Sequence, residues 1–285
     1  MTINHDKHIP QKIWFLWFQG LESAPALVQK CFASWQQQNP KWEIILLTDD
    51  NLNDYLKLDL TVQQQLKLSR AHLADLIRLK LLSTYGGVWV DATSFCVQPL
   101  DEWLGNAAPS GFFAFRNPGK DRLLSNWFLG ANAGNPIVTK LYNDLIVHWQ
   151  SNHFANRQKD FLTKLLKKLL NNSPKTTKFW SSWFITKILK VSPYYIFHYK
   201  FTDLITRDRL CQAIWSRTQH IEADPAHQLK KNIGIYTPLS TTIAQQIDSL
   251  DTPVHKLNWK VKESESAERC VLDYLYETQT LKALT

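Results

Sequence analysis

The sequence predicts an α/β fold that opens with a parallel βαβ unit and carries a basic helical insertion. Three observations lead there. Apolar, aromatic-rich runs alternate with helical stretches over the first hundred residues; a long helical stripe ends in a glycine pair followed by another apolar run; and the composition shifts near residue 155. With 285 residues, 44% of them hydrophobic, the chain can bury a large core.

Taken in order, KIWFLWF (12–18) reads as a strand and PALVQKCFASWQQQ (25–38) as a helix, opened by Ser23 and Pro25 and closed by Asn39-Pro40. WEIILLT (42–48) is the second strand, and strand, helix, strand at this spacing gives a parallel pair. A long helix over 61–84 carries the stripe Leu66, Leu73, Leu76, Ile77 and Leu81, and Tyr85-Gly86-Gly87 ends it. VWVDATSFCV (88–97) reads as one third strand. FFAFRN (112–117) and NWFLGAN (126–132) are short strands, and Asn135-Pro136 opens a helix to about 150. From 157 to 215 the pattern is helical and basic. In FLTKLLKKLL (161–170), Leu162, Leu165, Leu166 and Leu169 share one face, with Lys164, Lys167 and Lys168 on the other. VHKLNWK (254–260) returns to a strand, and a helix over 264–282 closes the chain. The expected organisation is a core over 9–155, a basic helical subdomain over 156–220 and a return to the core over 221–285.

The net charge of +8 is not spread evenly. Residues 157–200 hold ten lysines or arginines against one acid, Asp160, and so carry +9, leaving −1 for the rest. A uniformly basic, nucleic-acid-coating protein is therefore not expected. Cys31, Cys96, Cys211 and Cys270 lie far apart without metal-binding or disulfide spacing, which suggests reduced, structural thiols. The chain shows neither a leader-like run nor a stretch of about 18 apolar residues. A cytoplasmic location is the expectation.

Two constellations carry chemistry. Val88, Trp89 and Val90 read as a strand covered on both faces, so Asp91 arrives where that strand leaves the sheet, and ligands bind at such carboxyl ends. A turn-initiating or capping aspartate is the competing reading. Asp75 and Arg78 stand three apart on the long helix, among Leu76, Ile77, Leu79, Leu81 and Leu82. They make either a surface ion pair or a half-buried pair facing a polar ligand.

In this order and spacing, IPQKIWFLWFQG, SRAHLADLIRLKLLSTYGGVWVDATSF, SNWFLGANAGNPIV, YYIFHYKFTDLI and PVHKLNWK resemble the bacterial capsular polysaccharide synthesis proteins, over residues 9–260. That family is distantly similar to initiating mannosyltransferases and glucosylating toxins. The resemblance implies a GT-A type, Rossmann-like mixed sheet with flanking helices, and a hexosyltransferase using a UDP- or GDP-linked sugar. It implies a donor site of Trp14, Trp17, Phe18 and Gln19 around the base, with Asp75, Arg78, Gly86, Gly87, Asn126, Asn132 and Lys256 around ribose, sugar and phosphate. Asp91, Asp75 and Arg78 would be the catalytic group. His198 and Asp203 would meet the acceptor, a glycan or lipid-linked glycan of capsular or lipopolysaccharide type, with retention of configuration.

The wider superfamily's DxD acids become Asp91-Ala92-Thr93 here. The resemblance implies Mn2+ or Mg2+ on Asp91 and Thr93, with His255 as a third ligand, whereas Lys256 or Lys260 would neutralise phosphate directly. The Lys/Leu helix and Lys178-Phe179-Trp180-Ser181-Ser182-Trp183-Phe184 suit docking at an anionic membrane surface, on the inner face of the cell membrane. A helix packing its leucines inward is the alternative. The competing functions are a catalytically weakened sugar-binding relative and a nucleic-acid-binding protein using 157–200.

Overall fold

The computed structural model describes residues 8–56, 68–152, 154, 160–261 and 269–283. Its five-stranded mixed sheet, flanked by helices on both faces, has the order β2-β1-β3-β6-β5. Strands β1 (Lys12–Leu16), β2 (Glu43–Leu47) and β3 (Gly87–Asp91) are mutually parallel. Past residue 96, β5 (Phe112–Gly119) and β6 (Arg122–Ala131) form an antiparallel hairpin, and β6 pairs antiparallel with β3.

Side-chain alternation assigns the layers. Ile13 and Phe15 of β1, Val88 and Val90 of β3, and Phe113, Phe115 and Phe128 of the hairpin pack toward helix α1 (Ala26–Gln38). Trp14, Trp89, Phe112 and Leu129 pack the opposite way, against α2 (Arg70–Tyr85) and, further along the chain, the helices over Pro136–Gln150 and Ile196–Arg207. Asp91 has the same parity as Trp89 and therefore emerges on the α2 side.

Ser69 caps α2, its hydroxyl accepting from the His72 N–H at 3.3 Å. Of the expected 61–84 helix, residues 61–67 lie outside the described residues, as do 262–268 ahead of the last helix, which runs Val271–Ala283. Gly86 and Gly87 carry the chain from α2 into β3 with φ of +69° and +101°, and a Cβ on either would come within 2.7 Å of backbone at Ala133 or Lys12. Only glycine fits both demands.

The expected single strand over 88–97 is two. It breaks at Ala92-Thr93, and β4 (Ser94–Cys96) leaves the main sheet to pair antiparallel with β7 (Val254–Lys256).

The basic insertion forms a small core of its own from Trp180, Ile185, Val191 and Tyr199, with Leu166 and Leu170 against it. Leu162, Leu165 and Leu169, which share the expected apolar face of the helix Phe161–Leu170, are exposed instead. Phe161, Trp183 and Phe184 are exposed as well.

Candidate active site

The parallel strands β1 and β3 end side by side, Leu16 opposite Asp91, and a cavity of about 840 Å³ opens there. Because Asp75 and Arg78 share a face of α2, both reach the end of β3. Arg78, 4% exposed, lies 3.5 Å from Asp75 and 3.4 Å from Asp91, with its guanidinium 5.0 Å from the Trp89 ring centre. It also donates to the Ala74 carbonyl at 3.2 Å and to the Asn126 carbonyl. The Asn126 amide donates to Asp75 at 2.9 Å, and Trp89 Nε1 donates to Asp91 at 3.1 Å. From β7, Lys256 Nζ donates to Asp91 Oδ2 at 3.0 Å and to Thr93 Oγ1 at 2.7 Å. The result is a continuous array, Asp75–Arg78–Asp91–Lys256–Thr93, along one wall of the cavity.

The two carboxyls titrate in opposite directions. Burial raises Asp75 above the ordinary carboxylate value, and Arg78, His72 and the Asn126 amide do not fully offset it. Burial would also raise Asp91, but Lys256 and Arg78 outweigh it and hold the group low. The remaining walls are cationic. Arg70, Arg122, Lys230 and Lys231 join Arg78 and Lys256 against these two lining carboxylates, with Arg122 paired to Asp121 at 3.2 Å and Lys231 to Asp224 at 2.6 Å just outside the lining. Partial burial, reinforced by the charges of Lys256 and Lys231, brings the Lys230 ammonium down to about 8. A cleft with this imbalance attracts and holds anions.

Several buried polar atoms at the cavity wall have no partner: Ser125 Oγ, Trp127 Nε1, His198 Nδ1 and His227 Nε2. His198 and His227 are held neutral, chiefly by burial, with nearby cations adding to it. Unpaired buried donors and acceptors are costly, and these four belong to residues that line the cavity. At another part of the wall Trp17 and Trp259 meet edge to face, and Arg70 lies over the Phe18 ring.

Of the residues expected at the site, Asp75, Arg78, Asp91, Thr93, Trp17, Phe18, Gln19, Asn126, His198 and Lys256 line this one cavity. Six do not. Trp14 is a core residue whose indole donates to the Gly86 carbonyl at 2.8 Å. Gly86 and Gly87 sit at the opposite, amino end of β3, where their role is conformational. Asn132 is buried in a hydrogen-bonded turn with Asn135 and Gly111. Asp203 pairs with Arg207 along its own helix at 3.3 Å. His255 is 2% exposed and paired in register with Phe95, its parity opposite to that of Lys256.

That last placement bears on a divalent metal. Hard cations need about six oxygen ligands. Here both Asp91 oxygens and the Thr93 hydroxyl are already engaged by Arg78, Trp89 and Lys256. Among the described residues no group of three or more His, Cys, Asp or Glu is arranged to hold a metal ion. The donor set does not fit the expected Asp91, Thr93 and His255 centre.

Arg70, Arg122, Lys230, Lys231, Trp127, His227 and Trp259 went unread in the sequence. The Lys230-Lys231 pair was the one available signal, since it stands outside the basic segment.

The profile of capsular polysaccharide synthesis proteins matches residues 2–180. The chain belongs to that family. The chain is also similar, over part of its length, to individual glycosyltransferases. The O-glycosyltransferase braB of Annulohypoxylon truncatum is 27% identical over 167 residues, 49% of this chain and 38% of that one. The initiation-specific alpha-1,6-mannosyltransferase of Candida albicans is 25% identical over 114 residues, 36% of this chain and 29% of that one. The chain spans well under half the length of these relatives. Among solved structures, the PaToxG glycosyltransferase aligns over 75% of the chain and 88% of its own, at a TM-score of 0.37 and 14% identity, a likeness too slight to build on. In this capsular polysaccharide synthesis protein the family segment supplies Asp75, Arg78 and Asp91, whereas Lys230 and Lys256 come from beyond it.

Proposed function

We propose that this chain is a GT-A type glycosyltransferase that moves a hexosyl group from a UDP- or GDP-linked sugar to a glycan or lipid-linked glycan of capsular or lipopolysaccharide type. The observation that carries this reading is the Arg78–Asp91–Lys256 array at the carboxyl ends of two parallel strands, on a cavity with six cations and two carboxylates. Breaking the bond between the anomeric carbon and phosphate oxygen puts negative charge on the departing nucleoside diphosphate. Fixed cations beside that oxygen stabilise it in the transition state. Trp17, Phe18 and Trp259 offer ring faces for the base, and Ser125, Trp127, His198 and His227 are the polar lining residues proposed to meet sugar hydroxyls.

Both lining carboxylates are ion-paired, and His198 and His227 are weak bases. This supports front-side transfer with retention. The acceptor oxygen bonds to the anomeric carbon as the carbon–oxygen bond to phosphate breaks, and the acceptor proton passes to the leaving phosphate.

An anionic membrane surface is a fitting place for a lipid-linked acceptor. Phe161 (82% exposed), Trp183 (68%) and Phe184 (57%) stand among lysines of the insertion, apolar and cationic groups together. Among the described residues no helix is long and apolar enough to cross a membrane, and the contact proposed is a peripheral one. The test is donor hydrolysis and transfer across a panel of UDP- and GDP-sugars. Turnover with at least one donor is expected; binding of a nucleotide sugar without turnover of any would leave a sugar-binding relative instead.

A further inference from the structure

We infer that the Lys256 ammonium takes the place of the divalent cation in this site, so that the diphosphate of the donor is held directly on protein charges. This deepens the donor-site reading above and rests on it. A bridging metal in such a cavity would have to lie between the strand-end carboxylate, the residue two positions on and the diphosphate. That point is filled by Lys256 Nζ, 3.0 Å from Asp91 Oδ2 and 2.7 Å from Thr93 Oγ1.

The lysine is held there by the backbone. In the β4–β7 ladder Ser94 pairs with Lys256 and Phe95 with His255, and the Leu257 N–H donates to the Thr93 carbonyl at 2.8 Å. Alternation along β7 lets only one of His255 and Lys256 face Asp91. In this register it is the lysine. A one-residue slip would present the imidazole and remove the ammonium, so the strand phase itself chooses between a metal ligand and a fixed cation.

An ammonium has three N–H donors. Two are spent on Asp91 and Thr93, which leaves the third for a diphosphate oxygen. Thr93 fits this arrangement because a hydroxyl accepts from the lysine without adding a second negative charge. Arg78, which also pairs with Asp91, and Lys230, which lines the same cavity, supply the remaining positive charge.

The test is calorimetric titration of UDP and of GDP into the protein, once in EDTA and once with Mn2+, together with Lys256→Gln. One nucleotide should bind with affinities equal within about twofold in the two buffers, and Lys256→Gln should weaken it by ~10-fold or more in both, the loss of one charge-assisted contact to phosphate. Binding that vanishes in EDTA and returns with Mn2+ would overturn the inference while leaving the donor site intact. Failure of both nucleotides to bind in either buffer would overturn the donor site, and the role of Lys256 with it. A second readout needs no variant: titration of Mn2+ into the nucleotide-free protein, followed by electron paramagnetic resonance, should show no stoichiometric site, and finding one would refute the substitution of lysine for metal.

Discussion

Replacing Arg78 by Met keeps most of the side-chain length and removes the one charge that touches both carboxylates. Asp75, 7% exposed, would be left with the Asn126 amide alone, while Asp91 would keep Lys256 and Trp89. Removing one partner of a buried ion pair costs about 3–5 kcal/mol, against a total stability of ~5–15 kcal/mol. At about 2–4 °C per kcal/mol for a chain of this size, Tm should fall by ~6–20 °C. Thermal unfolding followed by tryptophan fluorescence measures this. The double variant Asp75→Asn/Arg78→Met should recover part of the loss, since the amide leaves no unpaired charge in the wall. The pH dependence carries its own sign. Burial already raises Asp75 in the native state, so stability falls as pH climbs from the unfolded carboxylate value, about 4, through the native one. Without Arg78 the native value rises further, and the deficit of Arg78→Met should shrink on acidification through that window. A Tm shift below ~2 °C, or a deficit that does not respond to pH, would mean that the pair is screened by solvent and holds nothing in place.

Asp91→Asn should abolish transfer while the fold persists, read by donor turnover and circular dichroism; an active variant would remove Asp91 from the mechanism. Because Lys230 titrates near 8, nucleoside diphosphate affinity should decline as pH rises through that value, and Lys230→Arg should flatten the profile between pH 7 and 9 in calorimetric titrations. Exchanging Lys164, Lys167 and Lys168 for Gln should release the protein from anionic vesicles in co-sedimentation, with donor hydrolysis unchanged. Persistent binding would show that these lysines do not hold the protein to the surface.

Local signals were legible wherever a residue type answers a backbone demand. Asn135 caps a helix, Gly86 supplies a positive φ, and the apolar runs at 12, 43 and 87 pair as parallel strands. The Asp75 and Arg78 pair stood out as charges in an apolar stripe, but only the family resemblance joined it to Asp91. What could not be read was phase and distant pairing. Trp14 and Trp17 look alike in the string, but one lies within the strand facing α2 and the other just past its end, where the cavity begins. His255 and Lys256 are neighbours, and only the register of a three-residue strand, paired with a partner some 160 positions away, decides which of them meets Asp91. The insertion is a different case. Its lysines dominate the charge count, yet the cations of the cavity come from α2, the hairpin and the last third of the chain.

The division of the cavity along the chain has a consequence for synthesis. Both acids and Arg78 emerge from the ribosome before Lys230, Lys231 and Lys256, which are translated more than a hundred residues later. Until then the nascent sheet ends in two carboxylates sharing a single guanidinium, with β4 lacking the strand that covers it. Completion of the pocket is therefore a late, long-range event, and ribosome-stalled chains arrested before residue 254 should remain protease-sensitive around Asp91 even when β1 to β3 have paired.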